Sequence, residues 1–127
     1  MGPGDNHYHQ LDESVRRVRV LRDGRVLADS TRAILLKEVG KKVYDPVFYF
    51  PQEDVHRASF VASATRTTCP IKGEASYWSL LDLDGLVADA AWAYQEPIEY
   101  SRAIAGRIAF NPRYVTLELG PISPAAE

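Results

Sequence analysis

The chain has 127 residues, 46% of them hydrophobic, and its 15 basic and 17 acidic side chains give a formal net charge of −2. This composition is ordinary for one globular domain, and the charge argues against a dedicated nucleic-acid-binding domain, which is normally strongly basic. No apolar run approaches the roughly 20 residues of a membrane-spanning helix, so no membrane partner is expected. With one cysteine and no signal-peptide pattern, we expect a cytoplasmic protein without an internal disulfide.

Three parts are predicted along the chain. Residues 1–14 show no hydrophobic periodicity, and we expect a flexible N-terminal arm there. A single β domain is predicted over residues 15–120, followed by a C-terminal tail over residues 121–127.

Two Asp-Gly pairs predict two β-hairpins. Asp23-Gly24 lies between two β-prone runs, and Asp84-Gly85 lies between two more. Counting outward from the second turn places Leu83 opposite Leu86 and, further along, Tyr77 opposite Trp92. On the other face of this hairpin the same count places Trp78, Leu80 and Val87.

The remaining segments complete a mainly β pattern. Further strands are predicted at 33–37, 43–50, 108–110 and 114–119, one or two short helices at 52–57 and 97–105, and a loop at 63–73. Several short strands without a long helical period predict a single, mainly antiparallel β domain.

Several short motifs resemble those of one family. These motifs are Val26-Leu27-Ala28-Asp29-Ser30, Tyr44-x-Pro46-x-x-Tyr49-x-Pro51, Thr68-Cys69-Pro70-x-Lys72-Gly73 with Tyr77-Trp78, Ala91-Trp92-x-Tyr94-x-x-Pro97, and Ile104-Ala105-Gly106-x-x-Ala109-Phe110. They closely resemble domain-of-unknown-function family 427, over nearly all of residues 17–110. A nucleotidyltransferase-like label is sometimes attached to this family.

The resemblance implies a β-tent fold, similar to those of methionine sulfoxide reductase B and the thalidomide-binding domain of cereblon. Many β-tent relatives hold a zinc ion with two Cys-x-x-Cys pairs. Because this chain has one cysteine, we expect no zinc site of that kind, no other metal and no cofactor. His7-x-His9 supplies only two potential ligands, in a segment predicted to be mobile.

Cys69 and Lys72 are the candidate catalytic residues. A loop thiol near a cation can act as a nucleophile, and Lys72 lies three residues after Cys69. The alternative is that Cys69 is a small buried side chain, as free cysteines often are. Asp82-x-Asp84 resembles a magnesium-binding pair, but Asp84-Gly85 is better explained as turn chemistry.

Aromatic residues form the remaining candidate site. Tyr77, Trp92 and Tyr94 share one predicted face of the hairpin, and Tyr44 and Tyr49 come from the preceding strand. The predicted ligand-binding set adds the polar side chains of Glu38, Asp54 and Lys72. In the β-tent relatives an aromatic cage on the sheet captures a small ligand, whereas the alternative here is a packed core between two sheets.

Three functions remain open at this point. The first is recognition of a small polar or aromatic-stacking ligand in an aromatic-lined pocket, and the second is an enzyme that uses Cys69 or Lys72 there. The third is an interaction module that uses the arginines around the first hairpin to bind an anionic partner. The sequence predicts neither the ligand nor the oligomeric state.

Overall fold

In the computed structural model, which describes residues 3–4 and 6–122, ten β-strands form three antiparallel sheets. The strands are β1 (Tyr8–Glu13), β2 (Arg16–Arg22), β3 (Arg25–Ser30), β4 (Ile34–Val39), β5 (Val47–Tyr49), β6 (Phe60–Cys69), β7 (Gly73–Asp82), β8 (Gly85–Ala93), β9 (Ile108–Phe110) and β10 (Thr116–Ile122). The sheet orders are β1-β4-β5, β10-β2-β3 and β6-β7-β8-β9. The prediction of a mainly antiparallel β domain is confirmed.

The helical segments are short 3-10 helices at Gln52–Asp54, Arg57–Ser59 and Glu99–Ile104. Pro51 precedes the first of them, and its fixed backbone angle suits the start of a helical turn. Ser101 departs from helical geometry and kinks the third. No helix in the described part of the chain is long and apolar enough to cross a membrane.

The segment predicted to be an arm contributes a strand. β1 pairs with β4 along its whole length, from Tyr8 opposite Val39 to Glu13 opposite Ile34. Hydrophobic periodicity does not predict this strand because only His9 and Leu11 pack inwards from it, and backbone pairing with β4 supplies its other contacts. Of the predicted C-terminal tail, Pro121 and Ile122 belong to β10, and residues 123–127 lie outside the described residues.

The predicted loop at residues 63–73 is wrong for most of its length. Strand β6 runs from Phe60 to Cys69 and pairs with β7. Threonines are common in strands because their branched side chains suit a pleated surface, and this run contains Thr65, Thr67 and Thr68. The small polar side chains that suggested a loop lie on an outer strand of the four-stranded sheet.

The two predicted hairpins differ in how they turn. Asp23 and Gly24 connect β2 to β3, both with positive φ (48° and 80°), as a type I′ turn requires. In the second hairpin the connecting residues are Leu83 and Asp84, and Asp82 pairs with Gly85. The predicted pairing of Leu83 with Leu86 is therefore wrong, because Gly85, with a φ of 125°, is the first residue of β8 rather than part of the turn.

A bulge in β8 restores the register further from this turn. Between the Leu80–Val87 pair and the Trp78–Ala91 pair, β7 has one residue and β8 has three. The middle residue of the three, Asp89, has a positive φ of 51°, and its backbone N–H donates to Ser79 Oγ. Beyond the bulge Tyr77 lies opposite Trp92, as predicted.

The four-stranded sheet separates two hydrophobic clusters. Leu80, Ala91 and Phe110 belong to the first cluster, which also contains Val18 and Leu27 of the β2-β3 sheet. The second cluster lies towards the β1-β4-β5 sheet and contains Leu36, Tyr49, Ala75, Tyr94 and Ala109, with Tyr77 and Trp92 packed against it. Trp78 and Val87 pack against the first cluster, so the predicted division of the hairpin into two faces is confirmed.

Candidate functional site

An open cavity of about 650 Å³ lies where the β1-β4-β5 sheet meets the four-stranded sheet. We call it the cleft. Aromatic side chains line one part of it, namely Tyr44, Tyr49, Tyr77, Trp92 and Tyr94. Ionisable side chains line much of the rest, namely His7, Glu38, Lys42, Asp45, Cys69, Lys72 and Asp89. Seven of the eight residues predicted to bind a ligand therefore lie together around one cavity.

The aromatic part combines buried and accessible rings. Tyr77 and Trp92 face each other across β7 and β8 with ring centroids 6.5 Å apart, and both are half-buried. Tyr49 and Tyr94 lie deeper, at 1% and 6% exposure. Burial raises the pKa of the Tyr49 and Tyr94 hydroxyls, so both remain protonated at neutral pH. The accessible ring surface therefore belongs mainly to Tyr77, Trp92 and the exposed Tyr44.

Glu38 is the centre of the charged part. The Nζ of Lys72 donates to Glu38 Oε1, and the Nε2 of His7 lies 2.8 Å from Glu38 Oε2. Burial alone would raise the pKa of Glu38, but the hydrogen bonds from Lys72 and His7 outweigh it and lower that pKa. Lys72 Nζ also lies 5.7 Å from the centroid of the Tyr94 ring. Glu38 is thus held as a carboxylate between two nitrogen groups.

A tight turn between β6 and β7 positions Lys72. The Lys72 backbone N–H donates to Cys69 O, and Lys72 O accepts from Ile98 N–H at 3.0 Å. The next residue, Gly73, has a φ of 111°, and a Cβ there would lie 3.4 Å from the backbone at Pro97 and Ile98. The Cys-Pro-x-Lys-Gly motif therefore fixes the backbone at the point where the Lys72 side chain enters the cleft.

The structure brings Cys69 and His7 together, although 62 positions of chain separate them in the sequence. One ring nitrogen of His7, one carboxylate oxygen of Glu38 and the Sγ of Cys69 all lie within 4.8 Å of one another. Gly40 permits this approach, since a Cβ there would lie 3.3 Å from His7 Cδ2. The half-buried Cys69 lines the cleft, so its thiol borders open space.

His7 is a cleft residue that sequence reasoning assigned to a mobile arm. The available signal was the spacing of His7 and His9, which places both side chains on one face of a strand. His9 is buried at 8% exposure, and its Nε2 lies 2.6 Å from Ser101 Oγ. The buried His9 therefore anchors this segment to the core, and the same segment contains His7.

Asp54 lies outside the cleft. Its Oδ2 accepts a hydrogen bond of 2.6 Å from Ser30 Oγ, and Oδ1 lies 3.5 Å from an Arg32 nitrogen. The sequence grouped Asp54 with Tyr44 and Tyr49 because they share one stretch of chain, but the helix Gln52–Asp54 turns this carboxylate towards β3. Asp54 was predicted to bind the ligand, but its carboxylate bonds Ser30 and does not line the cleft.

Asp82 and four arginines of the first hairpin are engaged in ion pairs. Asp82 Oδ2 lies 3.0 Å from Arg22, and Asp82 Oδ1 lies 3.6 Å from Arg25, so its carboxylate links the first hairpin to β7. Arg17 and Arg19 of the same hairpin pair with Asp29 and Glu118. These arginines already have carboxylate partners within the domain.

A second cavity, of about 200 Å³, lies on the opposite face of the four-stranded sheet. Val55, Phe60, Trp78 and Ile108 line much of it, together with Arg57. The ionisable cluster around Glu38 lies instead at the larger cleft. The cleft is therefore the candidate functional site.

Comparison with known proteins agrees with the motifs quoted above. No match was found among curated proteins. A family model described as a domain of unknown function, DUF427, matches residues 10–120, which include every strand from β2 to β9 and all of the cleft residues except His7. On this match over most of its length, the chain belongs to the DUF427 family.

Proposed function

We propose that this domain binds a small molecule that carries a flat ring and polar substituents, and that the cleft is the binding site. The observation that carries the proposal is that an accessible Tyr77–Trp92 surface and the nearly buried Glu38–Lys72 ion pair line one cavity. The volume of about 650 Å³ lies within the range of small-molecule sites, which combine apolar walls with a few fixed polar groups.

The charges at the cleft favour an uncharged or cationic ligand. Two lysines, Lys42 and Lys72, line it together with three carboxylates, Glu38, Asp45 and Asp89. Because Lys72 is already paired with Glu38, it has no free charge to offer an anion. The exposed aromatic surface attracts cations through its ring electrons and stacks on neutral rings. A polyanionic nucleotide is therefore the poorest candidate.

Thermal unfolding with three classes of ring compound tests this proposal. We expect neutral nucleosides or aromatic amines to raise the melting temperature, and nucleoside triphosphates not to raise it. If none of the three classes shifts the unfolding, or if the triphosphates alone do so, the proposed ligand class is wrong.

The two tryptophans of the β7–β8 hairpin provide a matched pair of variants. Trp92→Leu removes a ring from the cleft, whereas Trp78→Leu removes one from the opposite face. We expect the ligand-induced shift to disappear in Trp92→Leu and to persist in Trp78→Leu. Equal loss in both variants, each checked for folding by circular dichroism, would contradict the assignment to the cleft.

Enzymatic use of Cys69 is the second candidate function. Its thiol lies within 4.8 Å of the His7 and Glu38 ligand atoms, and an imidazole and a carboxylate are the groups that serve as base and orienting group in thiol enzymes. Lys72 is the weaker nucleophile candidate because Glu38 holds its ammonium group. Alkylation by iodoacetamide that is fast in the folded protein and slower in His7→Ala supports this function, and slow alkylation of the unmodified protein contradicts it.

A further inference from the structure

We propose that His7, Glu38 and Cys69 bind a divalent transition-metal ion of the zinc type, with one coordination position open to the cleft. This inference goes beyond recognition of an organic ligand, and it does not depend on that function. It differs from the expectation from the sequence, which was that the chain has no metal site.

The positions of the three ligand atoms support the site. His7 nitrogen, Glu38 oxygen and Cys69 sulfur lie within 4.8 Å of one another. Zinc binds nitrogen and oxygen at about 2.0 Å and sulfur at about 2.3 Å, so tetrahedral ligands lie about 3 to 4 Å apart. Side-chain rotations that move these atoms by about 1 Å are sufficient to reach that geometry.

The chemical types of the ligands select the metal. Imidazole nitrogen and thiolate sulfur suit zinc, cobalt and related ions, whereas magnesium and calcium prefer sites built from oxygen alone. Three protein ligands with a fourth position open are typical of zinc sites that act on a bound molecule. All three ligand residues line the cleft, so the open position faces the space proposed for the small molecule.

Lys72 has a defined role in this arrangement. It hydrogen bonds Glu38 Oε1, which leaves Oε2, the oxygen now 2.8 Å from His7, available to the metal. Metal-binding carboxylates are usually held in this way by an outer partner. On binding, the thiol proton of Cys69 passes to solvent, and a proton on His7 Nε2 moves to Nδ1 of the neutral ring or passes to solvent from the doubly protonated ring, so that Nε2 binds the ion as a neutral imidazole. The Glu38 carboxylate and the Cys69 thiolate then supply two negative charges against the three positive charges of the ion and Lys72.

The site differs from the zinc site that the resemblance implies for β-tent relatives. Its ligands come from three separate segments: His7 from before β1, Glu38 from β4, and Cys69 from the end of β6. Such a set has no short ligand spacing in the sequence. It depends on the pairing of β1 with β4 and on Gly40, whose missing side chain leaves room for the His7 ring.

Cobalt(II) titration of the chelator-treated, full-length protein under reducing conditions tests the proposal. We expect a thiolate-to-cobalt charge-transfer band in the near ultraviolet, intense visible bands of a four-coordinate ion, and one metal per chain by native mass spectrometry. Displacement of cobalt by zinc should remove the visible bands. Absence of the charge-transfer band in the unmodified protein would overturn the proposal.

Single substitutions assign the ligands. Cys69→Ser should abolish the charge-transfer band. His7→Ala and Glu38→Gln should each weaken cobalt binding by more than about tenfold, because loss of a residue that only hydrogen bonds a metal ligand already weakens metal affinity by about that factor. His56→Ala is the matched control, because His56 hydrogen bonds Ser59 and does not line the cleft. Unchanged affinity in both His7→Ala and Glu38→Gln would refute the site, and circular dichroism with urea unfolding establishes that each variant is folded.

Discussion

The indole Nε1 of Trp92 donates a hydrogen bond of 3.1 Å to the hydroxyl of Tyr49. This bond joins β8 of the four-stranded sheet to β5 of the β1-β4-β5 sheet. It holds together the two sheets between which the cleft opens. The geometry of the cleft therefore depends on this contact as well as on the rings that line it.

Replacement of Tyr49 by phenylalanine tests this contact. The variant keeps the ring but leaves the partly buried Trp92 N–H without its acceptor, so we expect a loss of about 1 kcal/mol in the free energy of unfolding. Urea denaturation measures this loss. Tyr44→Phe, at an exposed position, should change stability by less than about 0.5 kcal/mol, and equal effects of the two changes would contradict our interpretation.

The Glu38–Lys72 ion pair makes a second prediction. Both side chains are nearly buried, at 12% and 10% exposure. Lys72→Met leaves the nearly buried carboxylate with His7 as its remaining partner, and we expect a destabilisation of about 2 kcal/mol. Adding Glu38→Gln removes the carboxylate charge that has lost Lys72, so the double variant should be less destabilised than the sum of the two single variants. Additive effects in a double-mutant cycle would show that the two groups are not coupled.

Acid sensitivity should arise partly at His9. Burial, followed by the nearby Lys72 charge, lowers the pKa of His9 from its ordinary value of 6.5. Ser101 Oγ–H donates to Ile71 O, so Ser101 accepts from His9 Nε2–H, and the buried Nδ1 has no partner among the described residues. His9 is thus held as the neutral imidazole.

The sign of the pH effect follows from this lowered pKa. The unfolded chain binds a proton at His9 before the folded chain does, so stability is retained above pH 6.5 and falls as the pH decreases towards the folded value. His9→Gln should remove this part of the loss. The loss caused by Glu38, whose pKa is also lowered, should remain at pH values below about 4.5 in the same variant. Urea unfolding measured from pH 8 to pH 3 separates the two groups, and an unchanged profile in His9→Gln would exclude His9.

The bulge at Asp89 makes a fourth prediction. Asp89 has a positive φ of 51°, and its Oδ2 accepts a 2.7 Å hydrogen bond from Thr65 Oγ1. Asp89→Asn retains a side-chain acceptor and tolerance of this conformation, Asp89→Gly retains only the conformation, and Asp89→Ala loses both. We therefore expect increasing destabilisation in that order, reaching about 2 kcal/mol for alanine. A glycine variant less stable than the alanine variant would contradict the role of backbone strain.

The sequence predicted the Tyr77–Trp92 pair correctly although it placed the turn incorrectly. Moving the turn from Asp84-Gly85 to Leu83-Asp84 displaces the pairing by two residues, so that Val87 faces Leu80. The extra residues at the bulge then restore the predicted pairing. Counting from a turn assumes a regular ladder, and the bulge depends on Asp89, Ser79 and Thr65, whose contacts cross between strands.

The candidate site was predictable where its residues lie in recognisable strands. Tyr49, Tyr77 and Trp92 were placed together from strand patterns. His7 and Asp54 were misplaced for opposite reasons. His7 enters the cleft because a polar segment pairs with β4, and Asp54 leaves it because of a single helical turn. Both outcomes depend on backbone geometry that hydrophobic periodicity does not encode.

The bulge in β8 also determines which changes in length the hairpin can accept. Relative to β7, the bulged stretch has two additional residues. Because side chains alternate along a strand, deletion of both residues would leave Trp92 directed at the cleft, whereas deletion of one would turn its ring to the opposite face. In relatives with a shorter hairpin, we therefore expect this segment to be shorter by two residues and not by one. An odd or even number of residues between the positions of Val87 and Ala91 would show whether the position of Trp92 faces the cleft.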